Sequence, residues 1–284
     1  MEPPTKIFST LALGGGGSKG ISVLGTLDYF YKQGSLSSVK RISGTSIGSV
    51  IGSLIGIGLT PESIHQIGKQ VETPLQGKVD YTKVLKNYGL WSLSKSLAPF
   101  TFHLLEYFGK SPTFEEYHQK TGVHLKVCAS NLNKLESVYF DHLSFPKIEV
   151  IDALRASCCI PGIFKTVKIK GDYYVDGGFV KNFPLDAWET IPGEEILGIA
   201  VSGTPIRKEI SNHWEYLARI ASLAVMSHVH SATKSRPDVL IIRTVLEDVP
   251  LIPAFMTEEQ KEEIYKRGQL DGKTYDSRRV VSLK

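Results

Sequence analysis

The sequence predicts an α/β layered fold, with a mostly parallel central sheet flanked by helices. Three observations lead there. Short apolar runs alternate with segments of helical periodicity along most of the chain. The first two runs each stop at a cluster of glycines or small residues and pass directly into a helical pattern. The 284 residues, 42% apolar and 22% charged, have the composition of a globular chain long enough for a sizeable core. Strands that alternate with helices favour parallel pairing, because a parallel connection needs a crossover of about a dozen residues or more.

Lys6 to Leu13 reads as a strand that ends at four glycines, after which Ile21, Leu24, Leu27 and Tyr31 recur at helical spacing up to Gly34. Ser38 to Ile42 reads as a second strand, followed by a small-residue turn, Ser43 to Ser46, and an apolar helix ending near Gly58. Thr60, Pro61 and Glu62 supply an N-cap, a first-turn proline and an early acid for a third helix. Val84 to Gly122 is helical in tendency, rich in aromatics, and broken by Gly89, Pro99, Gly109 and Pro112. Val123 to Ser130 and Ser137 to Asp141 read as strands, Val150 to Cys158 as a helix, Phe164 to Val175 as a hairpin, and Glu195 to Val201 as a strand. Trp214 to His228 carries one apolar helical face and Val239 to Val245 is a strand. Thr257 to Lys266 is a charged surface helix opened by the capping box Thr257-x-x-Gln260. The expected division is a core over residues 1–206, catalytic if the resemblance given below holds, and a helix-strand-helix segment over 207–284 belonging to the same domain.

With 33 Lys and Arg against 29 Asp and Glu, the net charge is +4 and the two signs are interspersed. Nucleic-acid binding needs a dense basic stripe, which is absent, so no nucleic-acid partner is expected. The excess also falls short of a polybasic cluster for strong membrane attachment. Cys128, Cys158 and Cys159, two of them adjacent, suit neither a disulfide framework nor a zinc site. They are expected to be reduced, buried thiols in a cytoplasmic chain, with no metal. Met1 to Leu13 lacks the basic start and long apolar core of a signal peptide, and Ile47 to Leu59 is too short to span a bilayer.

Gly44-Thr45-Ser46-Ile47-Gly48 fits Gly-x-Ser-x-Gly, a sharp strand-to-helix turn that projects a serine hydroxyl, with glycines where a side chain would strike a neighbouring strand or helix. Gly16-Gly17-Ser18-Lys19-Gly20 fits it as well. Gly15-x-Gly17-x-x-Gly20 further matches the dinucleotide fingerprint, but Val39 to Gly48 contains no acid for a ribose hydroxyl. The glycine run offers unobstructed backbone N–H groups at a helix start, which stabilise an anion such as the oxygen of a tetrahedral intermediate. Gly52 and Gly56 continue the four-residue spacing of Gly44 and Gly48 and are expected to press their helix against a neighbouring backbone. A nucleophilic serine needs a base, and none of the histidines, His65, His103, His118, His124, His142, His213, His228 and His230, stands in a recognisable catalytic setting. Asp176-Gly177-Gly178, followed by Asn182 and Pro184, is the remaining conspicuous cluster, and by itself it reads as a turn.

Taken together, these pieces resemble the patatin-like phospholipases, lipid acyl hydrolases with a Ser/Asp dyad. Gly15-Gly16-Gly17-Ser18-Lys19-Gly20 looks like that family's oxyanion loop, Gly44 to Gly48 its nucleophile elbow, and Asp176-Gly177-Gly178 with Asn182 and Pro184 its aspartate motif. Ser157 to Phe164, and Pro112-Thr113-Phe114 leading to the strand at Leu125, are further similarities, and the likeness covers roughly residues 7 to 202. Gly14 stands where the family often has Asp or Ser, and Cys158 and Cys159 where Ser or Ala is more usual.

The resemblance implies a patatin-like fold and Ser46 as nucleophile with Asp176 as its base. Gly15, Gly16 and Gly17 would hold the oxyanion, Lys19 would add positive charge, and no cofactor would be needed. The implied activity is that of a phospholipase A-like acyl hydrolase forming an acyl-enzyme. A carboxylesterase for small soluble esters, and a non-catalytic nucleotide-binding or interaction module on the same fold, are the alternatives. The partner is a phospholipid or other acyl lipid at a peripheral membrane contact, with room for a protein activator. Tyr88 to Phe108, with Trp91, Phe100, Phe102 and Tyr107, is the segment expected to approach lipid and cover the site, flanked by Lys86, Lys95 and Lys110.

Overall fold

The computed structural model describes residues 6–71, 89–203, 209–210, 216, 219, 223, 228–246, 249 and 256–282. Its first β-α-β-α unit follows the apolar periodicity: β1 (Thr10–Leu13), a 3-10 turn (Gly17–Lys19), α1 (Gly20–Lys32), β2 (Arg41–Thr45) and α2 (Ile47–Gly56). α3 (Pro61–Lys69) begins as expected, with the Thr60 hydroxyl accepting from the Ser63 amide and Pro61 in the first turn. There follow β3 (Gly89–Trp91), α4 (Ser94–Phe108), α5 (Phe114–Thr121), β4 (His124–Asn131), β5 (Glu136–Phe140) and α6 (Val150–Ser157). Beyond them lie β6 (Gly162–Phe164), β7 (Val167–Ile169), β8 (Asp172–Asp176), α7 (Gly178–Lys181), β9 (Ile196–Gly203), β10 (Leu240–Leu246) and α8 (Glu258–Ser282).

The main sheet runs β10-β9-β1-β2-β4-β8-β7, with β5 also on β4. Its first five strands are parallel, and β5, β7 and β8 add antiparallel pairs. The pairings of β4 position the site. β2 accompanies it from His124 to Cys128, β8 from Ala129 to Asn131, and β5 from Val127 to Asn131. A strand has two edges, so β2 and β8 must share the edge opposite β5, end to end and running toward each other. Thr45 pairs with Cys128 and Asp176 with Ala129, adjacent rungs of one ladder.

Alternation along the strands divides the apolar residues between two faces. Leu11, Leu13, Leu197, Ile199 and Val201 enter the large core with α1 to α4, whereas Ala12, Ile196 and Ala200 meet Phe183, Trp188 and Val229 on the other side.

Several elements differ from expectation. The second strand reaches Thr45, so the turn is Ser46 alone, because Ser43 and Thr45 are anchored from outside by hydroxyl bonds to the carbonyls of Pro184 and Lys181. Pro99 lies inside α4 without breaking it, and the helix ends at left-handed Gly109. β3 and β6 form a separate two-stranded parallel sheet that no periodicity announced. Gly52 and Gly56 meet side chains rather than backbone: an added Cβ would come within 2.6 Å of Ile42 and 2.0 Å of the Tyr117 hydroxyl. Of the Trp214 to His228 helix, most residues lie outside those described, as do Tyr88 and Lys86.

The last helix is far longer than Thr257 to Lys266. It opens with the expected Thr257–Gln260 box, and its later glycines are packing positions. A Cβ at Gly268 would sit 2.1 Å from the Ser22 carbonyl oxygen, and one at Gly25 would sit 2.0 Å from that of Tyr265. α1 and α8 therefore touch backbone to backbone, and the Thr26 hydroxyl donates to the Gly268 carbonyl at 3.0 Å.

Candidate active site

β2 delivers the nucleophile candidate through a turn of one residue. Ser46 holds φ 52°, ψ −130°, a conformation non-glycine residues avoid, and its surroundings enforce it. A Cβ on Gly44 would lie 2.4 Å from the Ser49 Cα of α2, and one on Gly48 would lie 2.4 Å from the Leu13 carbonyl oxygen of β1. Both glycines are thus dictated by close approach, as the elbow reading expects. The Ser46 amide donates to the Ser157 hydroxyl at 2.8 Å, and that hydroxyl donates onward to the Cys128 carbonyl. Ser157 is fully buried at the end of α6. Ser157 opens the stretch to Phe164 that resembles the family, but a serine among small residues carries no local signal of this bond.

The opposing β8 ends at Asp176. The Ser46 hydroxyl donates to Asp176 Oδ2 at 2.7 Å, and the Gly178 amide donates to Oδ1 at 2.8 Å. Ser46 and Asp176 are 8% and 6% exposed. Burial, only partly offset by those two hydrogen bonds, pushes the Asp176 carboxyl up to about 6. Gly177 is required because a Cβ there would meet the Cys128 carbonyl oxygen at 2.5 Å. Of the two glycine-bracketed serines, Ser46 is the one bonded to Asp176.

The glycine loop lies against this pair, with an added Cβ on Gly15 falling 3.1 Å from that of Ser46. One expectation needs correction: the Gly15 amide already donates to the Asn182 carbonyl at 3.0 Å, and Asn182 Nδ2 returns a bond to the Gly15 carbonyl at 3.2 Å. Gly15 is thereby a clamp between loop and aspartate turn. The Gly16 and Gly17 amides meet no acceptor among the described residues, and left-handed Gly17 (φ 57°) turns the loop into α1. Lys19 forms no ion pair among the described residues, and burial lowers its pKa. Gly20 packs on Ile47, which an added Cβ would approach to 2.7 Å.

Ser46 opens onto an apolar cavity of about 130 Å³. Leu24, Ile51, Leu97, Phe100 and Phe164 form its walls, and Lys261 of α8 also lines it. The aromatic segment divides accordingly: Phe100 is buried on the cavity, while Phe102 is 57% and Tyr107 38% exposed. Cys128, Cys158 and Cys159 are free and buried, and burial raises all three thiols above their usual range. No described histidine bonds to Ser46 or Asp176. β2 ends at Thr45 with no acid for a ribose. Among the described residues no group of three or more His, Cys, Asp or Glu is arranged to hold a metal.

Comparison with known proteins gives the chain its family. The chain is 32% identical over 185 residues to the "Probable lipid hydrolase 463L" of Invertebrate iridescent virus 6, covering 64% of this chain and 63% of that protein. The aligned part is therefore less than two thirds of that relative's length. It is 26% identical over 282 residues to the uncharacterized protein YqhO of Bacillus subtilis, covering 90% of this chain and 93% of that one. The crystal structure of VipD from Legionella pneumophila has the same fold, with a TM-score of 0.60 at 17% identity over 97% of this chain and 67% of VipD. The patatin-like phospholipase profile matches residues 11–188. That span covers well over half of the chain and runs from β1 past Asp176, so the chain belongs to the patatin-like phospholipase family.

Proposed function

We propose that the chain is a lipid acyl hydrolase of phospholipase A type, with Ser46 as nucleophile and Asp176 as its base. The single observation that carries this reading is the 2.7 Å bond from the hydroxyl of Ser46, which lines an apolar cavity, to the buried carboxyl of Asp176. Asp176 takes the hydroxyl proton as Ser46 Oγ attacks an ester carbonyl. The oxyanion is held by the Gly16 and Gly17 amides, with the partly buried Lys19 adding positive charge on the same loop. Collapse of the tetrahedral intermediate expels the alcohol, which takes the proton from Asp176, and leaves an acyl-enzyme. Water then attacks the acyl carbonyl with Asp176 again as base. The acyl chain occupies the cavity under α4, whose apolar lining suits a fatty chain better than a small polar ester.

The same reading takes residues 1–206 and 207–284 as one catalytic domain, supported by β10 in the sheet and by α8 on α1 and on the cavity. Its membrane contact is peripheral: no helix among the described residues is long and apolar enough to cross a bilayer. The test is the intact mass of the protein after treatment with a lipid-like fluorophosphonate, followed by peptide mapping. One adduct on Ser46, lost in Ser46→Ala and in Asp176→Asn, is expected. Labelling of another serine, or undiminished labelling of Asp176→Asn, would overturn the assignment.

A further inference from the structure

Among the described non-glycine residues, only Ser46, Leu135 (φ 57°) and Lys170 (φ 50°) have left-handed backbone. Ser46 is accounted for by the elbow. The other two sit at the tips of the β4–β5 and β7–β8 hairpins, which are fastened side by side. The Leu132 amide donates to the Tyr173 carbonyl at 2.9 Å, the Tyr173 amide donates to Asn133 Oδ1 at 2.8 Å, and Asn131 Nδ2 donates to Asp172 Oδ2 at 2.9 Å. Asn131 Oδ1 also accepts from the amides of Asn133 and Lys134.

This well-tied double tip presents apolar side chains to solvent. Leu135 is 86% exposed, the highest value of any large apolar residue described, and Leu132 is 47% exposed. A leucine in left-handed backbone costs the folded chain stability that glycine or asparagine would not, and at 86% exposure Leu135 buries little apolar surface in return. Exposed Lys134, Lys168 and Lys170 stand on or beside the two tips, and none is ion-paired among the described residues. The acids of the same two segments are Glu136 and Asp172, the latter already bonded to Asn131, so three cations stand with two anions. Both hairpins prolong the sheet beyond the rungs that bring Ser46 to Asp176. Leu132 lies four residues past Cys128, roughly 13 Å farther along the strand. Phe164, a wall of the cavity, leads through Lys165 into β7 and so to this tip.

We propose that the paired tips dock the protein on an anionic lipid surface, Leu132 and Leu135 entering the acyl boundary while the lysines meet head-group phosphates. The inference rests on the lipid-hydrolase reading only in naming a bilayer as the place where substrate is found. The test is sedimentation of the full chain with vesicles of phosphatidylglycerol and phosphatidylcholine, against vesicles of phosphatidylcholine alone. Two variants are compared with the unaltered chain: Leu132→Ser with Leu135→Ser, and Lys134→Glu with Lys168→Glu and Lys170→Glu. Each is expected to bind the anionic vesicles about tenfold or more weakly, with unchanged hydrolysis of a water-soluble short-chain ester. Wild-type binding by both variants, equal binding of the unaltered chain to neutral vesicles, or no binding to anionic ones overturns the proposal. Tip-dependent binding without hydrolysis of any acyl ester would refute the hydrolase and leave the docking surface standing.

Discussion

Asp141 and Asp176 are carboxylates of nearly equal exposure, 3% and 6%, with opposite proton affinities. Burial by itself raises both. At Asp141 it is overcome by a bond from His124 Nε2 at 3.2 Å, by the Ser144 amide at 2.7 Å and by the charge of Lys126, and the carboxyl is held down at about 2. Asp176 meets only the neutral Ser46 hydroxyl and the Gly178 amide, and stays at about 6. Low exposure alone does not set the proton affinity of an acid: at Asp141 hydrogen bonds and nearby positive charge outweigh burial, and at Asp176, more deeply enclosed, no positive charge offsets it.

Neutralising each acid breaks the comparison most sharply in turnover. Asp176→Asn should lower kcat on an acyl ester about 10³- to 10⁴-fold, while Asp141→Asn should leave it within about threefold. In stability the order reverses. Ionised Asp176 opposes folding, because its folded pKa exceeds the unfolded value of about 3.9. Asparagine keeps an acceptor for the Gly178 amide and a donor for Ser46, so Asp176→Asn should gain about 2 kcal/mol at pH 7 in urea unfolding. That gain should fade as pH falls from 6 to 4 and the native acid takes up its proton. Asp141→Asn should instead cost about 1–2 kcal/mol at pH 7, after allowance for solvent screening. The contribution of Asp141 is complete above about pH 4 and disappears as pH falls through 2. The smallest effect, and the one that sharpens the contrast, is the pH–rate profile. kcat/KM should rise about tenfold per unit below pH 6 and level off above it, and should show no inflection that moves in Asp141→Asn.

Much of the catalytic side was legible in the sequence because close backbone approach admits only glycine. Gly44, Gly48 and Gly177 each stand where a Cβ would meet backbone atoms, and such positions leave a spacing that can be read. Which of two serines was meant was less legible, since Ser18 satisfies the same pattern and only pairing with Asp176 separates them. Partners supplied by tertiary contact left no mark. Ser157 is an ordinary small residue until the Ser46 amide points at it, and the Gly15 amide looked available until Asn182 was seen to take it. The β3–β6 pair is too short for a period to register. α8 was cut short for the opposite reason: Gly268 and Gly272 look like helix breakers, whereas they admit Ser22 and Tyr29 of α1.

The end-to-end meeting of β2 and β8 on one edge of β4 also bears on timing. Ser46 and Asp176 are 130 positions apart in the chain, yet Thr45, just before the serine, and Asp176 occupy neighbouring rungs of a single ladder. A ribosome-bound chain that has completed β2 and β4 carries an elbow serine without Asp176 beside it. On the proposed reading, hydrolysis begins only after β8 has emerged and docked. Because strand register alternates faces, a single residue inserted into β8 would turn Asp176 away and leave the sheet otherwise paired. Under that proposal, a cell making this protein holds its nucleophile in reserve until most of the molecule exists.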